Sequence, residues 1–151
     1  MSEASNGADG AAIIIAGYGL PGRAVAEVLA SHEISFSVIE LNPQTVQRCE
    51  RSGTKIIQGD CSDPEVLIRA GIKTAGTFVI VVPDEKAALE ATRQARRLNP
   101  AIHIITRCHY TSAGIEARAL GADAVIVAEQ VVATEAVRMI GHVVRSSDGD
   151  R

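Results

Sequence analysis

The stretch Ala12-Ile13-Ile14-Ile15-Ala16-Gly17-Tyr18-Gly19-Leu20-Pro21-Gly22 constrains this chain more than any other. An apolar, β-branched run feeds a G-x-G-x-x-G turn, and an apolar helical pattern starts at once. That order suits a nucleotide diphosphate. The run buries as a parallel strand, Gly17 permits the tight turn, and Gly19 has no side chain to block a phosphate. Gly22 lets the next helix pack close to the strand. The helix N-terminus then offers unpaired N–H groups and a partial positive charge. A second apolar run, Phe36-Ser37-Val38-Ile39-Glu40, ends in an acid near the place, about 20 residues beyond the glycines, where a carboxylate accepts from a ribose diol. A carboxylate there repels a 2′-phosphate, so NAD(H), AMP, ADP or ATP is expected over NADP.

Apolar runs and helical patterns alternate along the rest of the chain. Strands are expected at Ala12–Ala16, Phe36–Glu40, Lys55–Gln58, Thr77–Val82, His103–Arg107 and Ala124–Val127. Helices are expected at Leu20–Ser31, Pro43–Ser52, Pro64–Ala70, Asp84–Leu98, Thr111–Leu120 and Glu129–Val143. Pro43 and Pro64 suit the first turn of a helix, and Asn42 and Asp63 precede them as N-caps. The alternation implies an α/β, doubly wound parallel sheet. The glycine motif on the first unit points to the six-strand Rossmann-like order 3-2-1-4-5-6. Residues 1–11 are expected to form a disordered tail, 12–143 one nucleotide-binding domain, and 144–151 a polar tail.

Length and charge exclude several classes. At 151 residues the chain suits one domain with a real core. A net charge of −3, without a basic face or aromatic platform, argues against nucleic acid. No apolar run reaches the ~18 residues of a membrane span, and no signal peptide is visible, so no direct membrane insertion is expected. Cys49, Cys61 and Cys108 form no C-x-x-C pair and suggest reduced, cytoplasmic thiols. No histidine has metal-ligand spacing with a cysteine or carboxylate, so no metal is predicted.

Ligands in such sheets bind at the carboxyl ends of the strands. Asp60, after the third strand, could accept from an adenine amino group or could start the next helix. Cys61 reads as a small buried filler. Val82-Pro83-Asp84 closes the fourth strand, with backbone available to phosphates and Asp84 as an N-cap. Arg107 at the end of the fifth strand is a candidate phosphate clamp, or else a surface ion pair. No G-x-S-x-G, H-E-x-x-H, Walker A lysine or paired-carboxylate motif appears. A nucleotide seat without a chemical site reads as a sensor rather than an enzyme. The alternative is a small NAD(H)-dependent oxidoreductase with its substrate site across a dimer.

The chain resembles the RCK domain, also called KTN or TrkA-N, which regulates potassium channels and transporters. The carriers are Gly17-Tyr18-Gly19…Gly22 with Glu40, Gly59-Asp60…Asp63-Pro64-Glu65, and Asn99-Pro100 before Ile104-Ile105-Thr106-Arg107. Leu120-Gly121-Ala122-Asp123…Val125-Ile126-Val127…Glu129 also matches. Arg107-Cys108-His109-Tyr110 and Val82-Pro83-Asp84 look most like the Kef-type subgroup, attached to monovalent cation:proton antiporters. Pro21, and Val82-Pro83 in place of a threonine and an asparagine, depart from the usual pattern. The resemblance implies a non-catalytic module docked at the inner face of the cell membrane on a membrane-embedded cation transporter or channel. It implies an adenine nucleotide or NAD(H) as ligand and a homodimer. Expected ligand contacts are Gly17, Tyr18, Gly19, Leu20, Pro21, Gly22, Glu40, Leu41, Asp60, Cys61, Val82 and Arg107. The apolar stripe Val131, Val132, Ala136, Met139 and Val143 of the last helix suits a dimer contact or ordinary core.

Overall fold

Four short runs dominated by Ile and Val lie at the centre of the fold because both of their faces are covered. The computed structural model describes residues 12–149, so the expected tail at 1–11 lies outside the described residues. The elements follow in strict alternation: β1 Ile13–Ala16, α1 Leu20–Ser31, β2 Phe36–Glu40, α2 Pro43–Arg51, β3 Ile56–Gln58 and α3 Pro64–Arg69. The second half holds β4 Thr77–Ile80, α4 Glu85–Leu98, β5 His103–Cys108, α5 Thr111–Leu120, β6 Ala124–Val127 and α6 Ala128–Asp148. All strand pairs are parallel, and the order is β3-β2-β1-β4-β5-β6. The expected order is the observed one. β1 lies between β2 and β4, with Ala16 level with Ile39 on one side and Ile80 on the other.

The strand period of two divides the core into two layers. Ile14, Ala16, Ile39, Phe78, Ile80, Ile104 and Cys108 face α3, α4 and α5, where Leu67, Ala88, Ala91, Ala95, Ala113 and Ala117 are buried. Ile15, Val38, Val79 and Val81 face the opposite way, onto Ala26 and its neighbours Val25 and Leu29 of α1. The alanines let α4 and α5 approach the sheet closely. Thr92 and Thr106 are fully buried yet satisfied: their hydroxyls lie 2.7 Å apart, and Thr92 Oγ1 also donates to Ala88 O.

Helix starts follow the sequence reading. Asn42 accepts from Gln44 N, Asp63 from Glu65 N and Asp84 from Ala87 N. Two elements differ from their expected bounds by more than one residue at an end. β4 ends at Ile80 rather than Val82, although Val81 N still donates to Ala16 O. α6 continues five residues past Val143, and Ser146 and Ser147 turn their hydroxyls back onto His142 O and Val143 O. No residue of α6 is buried. Among the described residues, no helix is long and apolar enough to cross a membrane.

One side chain ties together the end of the sheet opposite the strands' carboxyl ends. Arg96 donates to Gly121 O, Pro100 O and Ile102 O, and its Nη2 pairs with Asp123 Oδ2 at 2.7 Å. Asp123 also accepts from Ile104 N. That backbone bond, and then Arg96, hold the Asp123 carboxyl below the usual carboxylate range. Arg96→Lys keeps the charge and loses the fork, so stability should fall by about 1–3 kcal/mol, read by urea unfolding. Because the folded Asp123 is the stronger acid, its contribution is present above its ordinary pKa and fades as pH falls through the folded one. The Asp123→Asn variant should therefore show a shallower loss of stability than wild type between about pH 5 and 2.

Candidate functional site

The carboxyl ends of β2, β3 and β4 open onto one crevice of about 560 Å3. It is lined by Glu40, Leu41, Asn42 and Pro43 after β2, by Gly59, Asp60 and Cys61 after β3, and by Val82, Pro83 and Asp84 before α4. Ile39 and Ala87 complete its floor. Apolar side chains form most of the wall, while Glu40, Asp60 and Asp84 supply carboxylates at its edge. Such a lining suits a flat heterocycle with hydroxyl or amino donors at its periphery.

The glycine turn does not line this crevice but stands beside it. Gly17 adopts φ +97°, and a Cβ there would lie 3.1 Å from Val82 N. Gly22 is buried, and a Cβ on it would lie 1.9 Å from Gly17 O. Only glycine permits this approach of α1 to the turn. A Cβ on Gly19, by contrast, would meet nothing within 4 Å. Gly19 is the N-cap of α1 and provides no side-chain cap, and Pro21 lies in the first turn without an N–H. The N–H groups of Leu20 and Gly22 have no hydrogen-bond partner among the described residues, which is the arrangement that binds an anion.

Glu40 links this turn to the crevice. It lines both the crevice and a second groove of about 300 Å3, whose wall includes Tyr18, Gly19, Arg23 and Arg48. Its Oε2 accepts from Leu41 N at 3.2 Å. Asp60 does not cap a helix: Oδ1 accepts from Ser62 N at 2.8 Å and Ser62 Oγ at 2.6 Å, and the α3 cap is Asp63. Leu20 is 76% exposed at the head of α1, and Leu41 is 65% exposed at the crevice mouth. Cys61 is buried against the crevice. Burial, and then the carboxylates of Asp60, Asp84 and Glu40, push its thiol up to about 12. Arg107 stands half-buried on β5 and lines neither opening. Among the described residues, no cluster of three or more His, Cys, Asp or Glu side chains could hold a metal ion.

Sequence reasoning missed three long-range contacts that brace the rim. Glu85 of α4 accepts from His109 N at 2.7 Å, and His109 Nε2 lies 2.7 Å from Pro83 O. Glu129 of α6 accepts from Thr111 N and Thr111 Oγ1, and so caps α5 from the next element. The signal for Glu129 was visible only as an acid after β6. Its partner lies 18 residues away and follows from the fold.

Residues 13–128 match the TrkA-N domain. The chain belongs to the TrkA-N domain family. A protein of Alkalimonas amylolytica named as a K(+) efflux antiporter, KefB, is 32% identical over 114 residues, which is 76% of this TrkA-N chain and 17% of the relative. The chain thus spans less than a fifth of that relative's length. The crystal structure of the TrkA-N domain of inner membrane protein ybaL from Escherichia coli superposes with a TM-score of 0.81 at 27% identity, covering 86% of this chain and 96% of that one. The AMP-bound form of the Kef CTD of Shewanella denitrificans superposes with a TM-score of 0.72 at 26% identity, covering 92% and 88%.

Two glycine substitutions separate packing from ligand access in this TrkA-N domain. Gly22→Ala should cost about 2–3 kcal/mol, because backbone must move to admit the methyl. Gly19→Ala should cost about 1 kcal/mol or less, the difference between these residues at an N-cap. Thermal unfolding checks both. Cys61, protonated throughout the physiological range, should react with iodoacetamide at pH 8 far more slowly than a free thiol, and at full rate only in denaturant.

Proposed function

We propose that this TrkA-N domain is a non-catalytic nucleotide sensor, docked at the cytoplasmic face of a membrane on a potassium channel or monovalent cation:proton antiporter. Its ligand is an adenine nucleotide or NAD(H). The observation that carries this reading is the adjacency of three features around Glu40. An apolar crevice with Asp60 at its edge suits an adenine ring, Glu40 suits ribose hydroxyls, and the uncapped α1 turn suits a phosphate. The Shewanella denitrificans relative in its AMP-bound form supports the same ligand class. Pro21 removes one donor from the turn, so Leu20 and Gly22 carry the phosphate contacts there. Arg107 lies outside the crevice, and we assign it to a phosphate only in a second copy of the domain.

The regulatory part of the proposal rests on α6. Val131, Val132, Met139 and Val143 are 56%, 67%, 58% and 60% exposed, as are Val137 and Ile140 beside them at 68% and 57%, so the stripe is not core in this chain. A second copy covering it would bury apolar surface that otherwise faces water. Nucleotide binding would favour one of two dimer arrangements, and the membrane partner would respond to that difference.

Calorimetry with AMP, ADP, ATP, NAD and NADH tests the ligand. At least one should bind, and Glu40→Ala should weaken it about tenfold by removing a charge-assisted hydrogen bond. No binding of any of them at millimolar concentration contradicts the proposal. Sedimentation tests the dimer: wild type should self-associate with rising concentration, and Ile140→Asp should remain monomeric with an unchanged circular dichroism spectrum.

A further inference from the structure

The second groove, which shares Glu40 with the crevice, has a different chemistry. Arg23 of α1 and Arg48 of α2 both line it, with Gly19 and Thr45 between them. The Arg23 side chain makes no hydrogen bond to any described residue, and the Arg48 side chain donates only to Thr45 Oγ1, at 3.3 Å. Neither guanidinium forms an ion pair with Glu40 or any other described carboxylate. The groove therefore presents two permanently charged, unneutralised forks against a single carboxylate.

Resting on the nucleotide reading of the crevice, we infer that this groove takes a phosphate monoester carried on the ribose, at its 2′ or 3′ oxygen. The argument is positional. Glu40 marks where the ribose hydroxyls lie, and it is the one residue that lines both the adenine crevice and this groove, which Gly19 of the α1 turn also lines. A group reaching it from a bound nucleotide leaves through a ribose oxygen. Glu40 alone repels such a phosphate, which is why the sequence pattern favours an unphosphorylated ribose. Two guanidiniums from two different helices reverse the local sign, and planar forks match phosphate oxygens in pairs. The domain then distinguishes nucleotides by the ribose, accepting those with the extra phosphate more tightly than those without it.

The test compares 5′-AMP, 2′,5′-ADP and 3′,5′-ADP by calorimetry on the full chain. At least one bisphosphate should bind about tenfold more tightly than 5′-AMP, and which one does so identifies the ribose oxygen. In Arg23→Ala/Arg48→Ala that preference ratio should fall to about one. Both side chains are exposed, so the variant should fold, and circular dichroism checks that it does. If 5′-AMP binds and neither bisphosphate binds more tightly, the inference is wrong and the nucleotide reading stands. The inference also fails if the preference survives loss of both arginines. If none of the three binds, the inference falls, and the nucleotide reading falls with it only if ADP, ATP, NAD and NADH also fail to bind.

Discussion

The contact between Gly22 and Gly17 is the constraint on which the rest depends. A methyl on Gly22 would lie 1.9 Å from Gly17 O, so α1 can rest against the end of β1 only because position 22 lacks a side chain. Gly17 in turn lies against the backbone of Val82, which brings the exits of β1 and β4 together. Gly17 N donates to Ile39 O and Val81 N to Ala16 O, so the sheet pairing continues to the edge of the turn. The head of α1, the acid after β2 and the wall after β4 are thereby held around one opening. The position of the site follows from close packing.

The helix starts around this opening are not equivalent. Asn42, Asp63 and Asp84 satisfy the first turns of α2, α3 and α4 with their own side chains, and Glu129 does the same for α5 from α6. An N-terminus already paired with a carboxylate or amide has little left for an anion. α1 is headed by Gly19, has no such cap, and faces open space. Carboxylates at the crevice and unpaired N–H groups at the turn divide the opening by charge. Donor-rich parts of a ligand belong on one side and phosphate on the other. The two free arginines extend the second side.

Much of this was legible because it is local. The glycine spacing, the acid after β2 and the proline-led helices are short-range signals, and they placed α1, β2, α5 and β6 at their observed bounds. The strand order followed from the motif's place on the first β-α unit. What escaped was set by long-range contact. Glu85, His109 and Pro83 meet only because β4 and β5 are neighbours. Arg23 and Arg48 are unremarkable in sequence and share a groove only once α1 and α2 lie side by side. The polar residues after Val143 read as a tail because an exposed helical end carries no apolar periodicity to set it apart from a loop. Asp60 could not be assigned from sequence because either of its alternatives needs the same residue type. Only the geometry of Ser62 shows that it forms a turn at the crevice rather than a cap.

The central claim is that one nucleotide spans the α1 turn, Glu40 and the crevice. A titration of the 15N-labelled protein with AMP, followed residue by residue in amide spectra, tests it most directly. The account predicts shifts concentrated at Gly19, Leu20, Gly22, Leu41 and Asp60–Ser62, with Arg96 and Gly121 at the opposite end of the sheet unaffected. Saturable shifts that leave the α1 turn and Asp60–Ser62 untouched, or no shifts at millimolar AMP, ADP and NAD alike, would contradict it.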